Sequence, residues 1–280
     1  MSARVPTADG LELALELWRD EGRPVLLVHG FANDRFVWEE IARGLPQATR
    51  PISYDLRGHG DSDWSLACDY HLDDHAADIG AVLDALGVER AVLIAHSLGG
   101  NAATLFAAQE PARVEALVLV DTGPALSPAA WRWASADASE MARAYDDVAE
   151  YRQLLALAYP LGAADALDRL ARTSLARRRD GRLEPKLDPV LLELQGSEAE
   201  LRETEARLWD ALAKLRCPVL VARGERSAML GEAAAQRMLE QALGRGRLAL
   251  VPRAGHAVAI DNAPGLLAEI GAFLAEPAGA

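Results

Sequence analysis

Cysteine is scarce in this sequence, and long apolar runs are missing. The 280 residues include two cysteines, Cys68 and Cys217, which are far apart and form no C-x-x-C pair, so we expect neither a disulfide framework nor a zinc site. No stretch approaches the roughly 18 uncharged apolar residues of a membrane-spanning helix. The N-terminal residues lack the apolar segment of roughly 7–15 residues that marks a secretory signal. A cytoplasmic location is therefore the expectation.

Basic residues are outnumbered by acidic ones. Lys and Arg total 29 against 42 Asp and Glu, which gives a formal net charge of −13. So acidic a chain is a poor partner for nucleic-acid phosphates or anionic lipids. We expect no nucleic-acid or membrane partner and a small-molecule substrate. The sequence does not indicate an oligomeric state.

The remaining composition is that of an ordinary globular protein, 50% hydrophobic and 25% charged. Leu11 to Leu17 alternates apolar and polar residues, as a half-buried strand does, and Val25 to Val28 is apolar throughout, as a buried parallel strand is. We expect these two strands to form a hairpin. Helical spacing at 71–86 and strand patterns at 52–55, 91–95, 114–120, 218–222 and 247–251 follow. The alternation predicts an α/β fold, a mostly parallel central sheet with flanking helices.

The alternation is interrupted in the middle of the chain. Residues 125–212 have a helical pattern rich in Ala, Leu, Arg and Glu, with no convincing strand. We therefore predict a core formed by 1–124 and 213–280, and an inserted all-helical cap at 125–212. An insertion of this size in a compact domain is usually a lid or a substrate-binding element.

A serine lies at the most informative junction of strand and helix. The segment Ala95-His96-Ser97-Leu98-Gly99-Gly100 follows a buried strand and begins a helix of small residues. This is the pattern of a nucleophile elbow, in which a sharp turn exposes a serine hydroxyl. Ala95 replaces the usual first glycine, but its small side chain keeps the turn feasible. Ser97 is the predicted nucleophile.

With this elbow, His29-Gly30-Phe31 after the strand at 25–28 gives the chain a resemblance to the α/β-hydrolase fold superfamily. The resemblance implies that the backbone N–H groups of Phe31 and Leu98 form an oxyanion hole. Asp55 to Ser62 matches another landmark of the superfamily, D-x-R-G-x-G-x-S, which we interpret as structural. His29 and His59 are interpreted as structural too.

The same resemblance implies that His256, in the segment Gly255-His256 after the last strand, is the general base. The acid departs from the superfamily pattern, because the usual position after the penultimate strand holds Ser227 or Ala228. Asp121, at the end of an earlier strand, preserves the order Ser…Asp…His and is the preferred candidate. Glu225 is a second candidate. The third reading is that no acid orients His256.

Two tryptophans near the start of the insertion, Trp131 and Trp133, are candidate lining residues of an apolar substrate pocket, together with some of the tyrosines that follow. The alternative, equally favoured, is that these aromatic residues form the insertion's own core. His71 and His75 have the spacing of a zinc pair on a helix, but no third ligand motif accompanies them, and a solvated helix face is preferred. We expect no metal and no cofactor.

These features predict a serine hydrolase that cleaves an ester or related acyl bond of a small, largely apolar substrate through an acyl-enzyme. The same fold also hosts C–C bond hydrolysis, lyase and perhydrolase chemistry. A catalytically impaired, ligand-binding pseudo-enzyme is the third hypothesis, because Ala228 occupies the usual position of the acid. The fold by itself does not distinguish among these functions.

Overall fold

A computed structural model of the chain describes residues 1–124, 143–194, 197–241, 244 and 246–275. Its central feature is an eight-stranded sheet, whose strands are β1 (Ser2–Pro6), β2 (Glu12–Leu17), β3 (Arg23–Val28), β4 (Thr49–Tyr54), β5 (Ala91–His96), β6 (Val114–Val120), β9 (Val219–Gly224) and β10 (Gly246–Val251). The spatial order is β1-β2-β4-β3-β5-β6-β9-β10. From β4 to β10 all neighbouring strands are parallel, and near one edge β2 runs antiparallel to both of its neighbours, β1 and β4. The predicted α/β fold is confirmed.

The predicted hairpin between the first two strands of the sequence analysis, now β2 and β3, is wrong. β2 pairs with β1 and β4, and β3 lies between β4 and β5. Residues Val25 to Val28 of β3 are all apolar because both faces of the sheet are covered there. Leu26 and Val28 belong to the core on one face, and Val25 and Leu27 to the core on the other. A strand buried on both faces pairs most readily with parallel neighbours, and this takes β3 away from an edge hairpin.

Helices cover the sheet on both faces. In chain order they are α1 (Glu39–Gly44), α2 (Leu72–Ala85), α3 (Ser97–Gln109), α4 (Val148–Ala158), α5 (Ala164–Thr173), α6 (Val190–Glu193), α7 (Glu198–Lys214), α8 (Glu232–Gln241), α9 (Val258–Asp261) and α10 (Ala263–Ala275), with a 3₁₀ helix at Arg35–Trp38. None of the helices in the described ranges is long and apolar enough to cross a membrane.

The insertion is not all helical, and this part of the prediction is wrong. Strands β7 (Leu175–Arg177) and β8 (Leu183–Pro185) form an antiparallel hairpin between α5 and α6. Each strand has three residues, too few to show a period of two in the sequence. The arginine-rich segment between them forms the turn of the hairpin, with Gly181 at a φ of +89°.

The predicted boundary at 212/213 falls inside helix α7. This helix packs against α3, and its residues Leu208, Ala211 and Leu212 belong to the same apolar core as the sheet. The C-terminal half of α7 is thus part of the packing of the core. The division of the chain into core and cap otherwise stays a prediction.

Candidate active site

The predicted nucleophile occupies a strained turn between β5 and α3. Ser97 is the first residue of the helix and has a φ of +51°, a left-handed conformation that side chains other than glycine rarely adopt. The small residues of the segment permit this turn. A Cβ at Gly99 would lie 2.3 Å from the carbonyl oxygen of His29, so only glycine lets α3 begin so close to the end of β3. The turn brings Ser97 to the carboxyl edge of the sheet, where ligands of parallel α/β sheets bind.

His256 follows β10 and faces this serine. Its Nε2 lies 3.1 Å from the Ser97 Oγ. Two contacts hold its loop: the Gly255 N–H donates to Asp261 Oδ2 at 2.7 Å, and the backbone oxygen of His256 accepts from His96 Nε2 at 2.9 Å. Burial lowers the pKa of His96 to about 3, so His96 is neutral and donates through its Nε2–H.

Asp121 comes directly after β6, with a φ of +46° and a fully buried carboxylate. Its Oδ2 accepts from His256 Nδ1 at 2.8 Å, and its Oδ1 accepts from the Gly224 N–H at 2.9 Å. A proton on Nδ1 leaves the Nε2 lone pair free to accept from the Ser97 hydroxyl, which is the tautomer a general base needs. The structure thus brings together Ser97, His256 and Asp121 in one hydrogen-bonded row.

Glu225, the second candidate acid, faces elsewhere. It lies on the surface, and its Oε2 accepts from the Arg253 N–H at 3.0 Å. Sequence reasoning did not find the role of the neighbouring Ser227. The Ser227 Oγ lies 2.5 Å from Asp121 Oδ2, on the oxygen that also binds His256. The signal was present in the sequence, since a serine stands where the superfamily usually has the acid.

The two segments that carry the predicted oxyanion hole lie in close contact. A Cβ at Gly30 would lie 2.9 Å from the Ser97 Cβ, so the loop that carries Phe31 packs directly on the nucleophile. Leu98 lies in the first turn of α3, where backbone N–H groups have no acceptor within the helix. The Phe31 carbonyl accepts from Asn33 Nδ2 at 3.2 Å, and Ala32 has a φ of +56°. The loop therefore has a fixed, strained shape beside Ser97.

The two histidines interpreted as structural are buried. His29 donates from Nδ1 to the Gly30 oxygen at 2.7 Å and accepts at Nε2 from the Leu56 N–H at 3.0 Å. Burial lowers the pKa of His29 far below its usual value and lowers the pKa of His59 to about 4. Both rings are therefore neutral. The ring of Phe31 packs edge-on against His59, with 5.8 Å between ring centroids.

Side chains of the insertion bind the loop at 29–34, which carries Phe31 and is here called the oxyanion loop because of its predicted role. They also bind the segment at 55–62. Asp34, three residues after Phe31, is buried and accepts at Oδ2 from the hydroxyls of Thr173 and Ser174, at 2.8 and 2.7 Å. The Lys186 Nζ lies 2.7 Å from Asp61 Oδ1. Asp61 also pairs with Arg35, which binds the buried Asp55. The predicted cap is thus joined to the same loops that approach Ser97.

The aromatic residues of the insertion divide into two groups. Trp131 and Trp133 lie outside the described residues. Tyr145 and Tyr151 are buried, with 4.9 Å between their ring centroids, and belong to the core on one face of the sheet. These two tyrosines are core residues. In the part of the chain that the structure describes, no group of three or more His, Cys, Asp or Glu side chains could hold a metal ion.

This geometry agrees with comparisons with known proteins. Residues 23–263 match the family model described as alpha/beta hydrolase fold, so the chain belongs to the α/β hydrolase fold family. The 2-(acetamidomethylene)succinate hydrolase of Mesorhizobium japonicum is 29% identical over 216 residues, which are 77% of this chain and 75% of that protein. The crystal structure of E-2-(acetamidomethylene)succinate hydrolase has a TM-score of 0.85 at 26% identity and covers 99% of both chains.

A shorter match points the same way. The serine hydrolase-like protein of Danio rerio is 38% identical over 121 residues, which span 42% of this chain and 37% of that protein. The chain thus aligns with little more than a third of that relative. The hydrolases among its relatives support an enzyme of the α/β hydrolase type.

Proposed function

We propose that the protein is a serine hydrolase that cleaves an acyl bond through a covalent acyl-enzyme. One observation carries the proposal: Ser97 Oγ, His256 Nε2, His256 Nδ1 and Asp121 Oδ2 lie in a continuous row, with distances of 3.1 and 2.8 Å. Nucleophile, base and orienting carboxylate at hydrogen-bond distance are the arrangement that activates a serine. It favours an active enzyme over the pseudo-enzyme hypothesis, which was motivated by the missing acid at Ala228.

In the proposed reaction His256 takes the Ser97 proton while Oγ attacks the acyl carbon. The backbone N–H groups of Phe31 and Leu98 stabilise the negative charge that develops on the carbonyl oxygen. His256 then donates the proton to the leaving group. Water, deprotonated by the same imidazole, releases the acyl group and restores Ser97. Asp121 stays ionised and stabilises the imidazolium in both steps.

The proposed substrate is a small, largely apolar compound with an ester, thioester, lactone or related acyl bond. Two features support the acyl bond. The proposed oxyanion hole suits a tetrahedral intermediate of acyl transfer, and the named substrate of one relative contains an acetamido group, which is an acyl bond to nitrogen. Trp131 and Trp133 stay the predicted lining residues. The predicted cytoplasmic location and the expected absence of nucleic-acid and membrane partners stay predictions.

A fluorophosphonate probe tests the nucleophile. We expect the probe to label the wild type and Ser53→Ala, but not Ser97→Ala. Ser53 is the matched control, because it is a buried serine on β4 whose hydroxyl accepts from Trp18 Nε1, away from the site. Absence of label on the folded wild type, or equal labelling of Ser97→Ala, would contradict the proposal.

A panel of p-nitrophenyl and thio esters of graded acyl length then tests the reaction. Turnover of at least one member that Ser97→Ala does not catalyse is the expected result. A wild type that is labelled by the probe and turns over no member would favour C–C bond hydrolysis, lyase or perhydrolase chemistry instead.

A further inference from the structure

We infer that Ser227 is a positioning residue of the proposed reaction: its hydroxyl donates to the oxygen of Asp121 that binds His256, and so fixes the carboxylate against the base. The inference rests on the proposed function, since it assigns a role within the same site. Ser227 does not touch the reacting atoms and acts through Asp121 alone.

The direction of the Ser227 hydrogen bond follows from its partners. The Oγ accepts from two backbone N–H groups, those of Met229 at 3.1 Å and Leu230 at 3.2 Å. A hydroxyl has two lone pairs and one proton. With both lone pairs occupied, its proton is directed to the remaining neighbour, Asp121 Oδ2, at 2.5 Å. Ser227 is buried, so water does not compete readily for this proton.

The Asp121 carboxylate is thus held through both of its oxygens. Oδ1 accepts from the Gly224 N–H, and Oδ2 accepts from Ser227 and from His256. Three donors to a buried carboxylate leave it one orientation. An ionised, immobile carboxylate is what holds an imidazole in the tautomer needed for catalysis. Two of the three donors, Gly224 and Ser227, come from strand β9 and the turn after it.

This arrangement also explains why an acid is absent at its usual position. The turn after β9 supplies a hydrogen-bond donor here, and the end of β6 supplies the charge. Asp121 and Ser227 together therefore fill the place that a single carboxylate after the penultimate strand occupies in the superfamily pattern. If Ser227 only bound the amides of its own turn, replacement of its hydroxyl would leave kcat unchanged.

The test compares Ser227→Ala, Ser227→Thr and Ser53→Ala on an ester that the wild type hydrolyses. We expect Ser227→Ala to lower kcat about tenfold, the lower end of the range for a lost hydrogen bond to a charged group, with KM changed by less than about twofold. The second-order rate of fluorophosphonate labelling should fall by a similar factor. Ser227→Thr keeps the hydroxyl and should recover kcat to within about threefold of the wild type, and Ser53→Ala should resemble the wild type.

Several outcomes would overturn the inference. One is a Ser227→Ala variant with wild-type kcat and labelling rate, whether or not its thermal midpoint falls. Another is a threonine variant that folds and shows no recovery. If Ser227→Ala does not fold, Ser227→Cys replaces it, because a thiol of similar shape is a weaker donor and kcat should fall by a smaller factor. If the fluorophosphonate probe does not label the wild type, the proposed function itself is wrong. That result is distinct from the outcomes above, which concern Ser227 alone.

Discussion

Asp121 and His256 are joined by a 2.8 Å hydrogen bond between Oδ2 and Nδ1, although 135 positions separate them in the sequence. Asp121 ends β6 and His256 follows β10, and β9 lies between these two strands. The carboxylate thus reaches across the end of β9, where the Gly224 N–H binds its other oxygen. The contact between the proposed acid and the proposed base therefore depends on that strand order.

Asp121→Asn tests the assignment of the acid. We expect kcat to fall by about 10²–10⁴, since Asn in place of a triad Asp favours the wrong imidazole tautomer and costs about 10⁴ in a serine protease. Glu225→Gln is the matched control. Its carboxylate binds only the Arg253 amide among the described contacts, so kcat should stay within about twofold of the wild type. Steady-state rates on one ester at saturation decide between them, and full activity in Asp121→Asn would contradict the assignment.

Gly30→Ala tests how closely the oxyanion loop packs on the nucleophile. The added Cβ would lie 2.7 Å from His96 Nδ1 and 2.9 Å from the Ser97 Cβ, so the loop must move away. Displacing the Phe31 amide should lower kcat about 10²-fold, as loss of one oxyanion donor does, with a smaller change in KM. Gly271→Ala in α10 is the control, because its Cβ meets nothing within 4 Å. Equal kinetics of the two variants would argue against Phe31 as a donor.

A double-mutant cycle tests the contact between the cap and the oxyanion loop. Thr173→Val and Ser174→Ala each leave Asp34 Oδ2 one hydroxyl donor, whereas the double variant leaves neither of the two. A buried carboxylate oxygen without donors is costly, and in the double variant only Oδ1 keeps one, the Phe36 N–H, so this variant should lose more stability than the sum of the singles, by about 1–2 kcal/mol. Urea unfolding measures each free energy. Simple additivity would mean that Asp34 does not depend on these hydroxyls.

Stability should fall steeply on mild acidification because His29, His59 and His75 are buried and neutral. Burial lowers the pKa of His59 to about 4 and that of His75 to about 3, and it lowers the pKa of His29 well below its ordinary value. Between pH about 6.5 and 4 the unfolded state therefore binds more protons than the folded state. The free energy of unfolding is therefore highest above pH about 6.5. Below this pH it falls by up to about 1.4 kcal/mol per pH unit for each of the three histidines.

Urea unfolding between pH 7.5 and 4.5 (roughly the range over which free histidine titrates) measures this slope. His75→Leu should reduce it by the share of one histidine. The Nδ1 of His75 is buried and has no hydrogen-bond partner among the described residues, so leucine also removes an unsatisfied polar atom. An identical slope in the wild type and in His75→Leu would show that His75 is not protonated on unfolding in this range.

Much of this fold could be predicted because its signals are local. The apolar run at β3 and the small residues around Ser97 each determine a strand or a turn without reference to distant segments. The acid could not be resolved, since choosing Asp121 over Glu225 requires the order of β6, β9 and β10 in space. The hairpin of β7 and β8 has strands too short for a periodic pattern. Trp131 and Trp133 lie outside the described residues, and their role in a pocket stays a prediction.

The last prediction concerns variants in which the carboxylate is moved from the end of β6 to the turn after β9. Ser227 Oγ lies 2.5 Å from Asp121 Oδ2, so a carboxylate at 227 extends toward the place of that oxygen. Ser227→Asp alone should lower activity, because two adjacent carboxylates cannot both ionise readily beside one imidazole. Asp121→Asn with Ser227→Asp should exceed Asp121→Asn alone at least about tenfold in kcat, since one carboxylate is again available to Nδ1.

Asp121→Asn with Ser227→Ala serves as the control for this rescue, because it removes the same hydroxyl without adding a charge. Rates of fluorophosphonate labelling on folded protein provide a readout that does not depend on the choice of ester. If the variant with Asp at 227 is no faster than this control, the turn after β9 does not bring a side chain within reach of His256. Of the two positions compared, the end of β6 and the turn after β9, only the first would then allow an acid to orient His256.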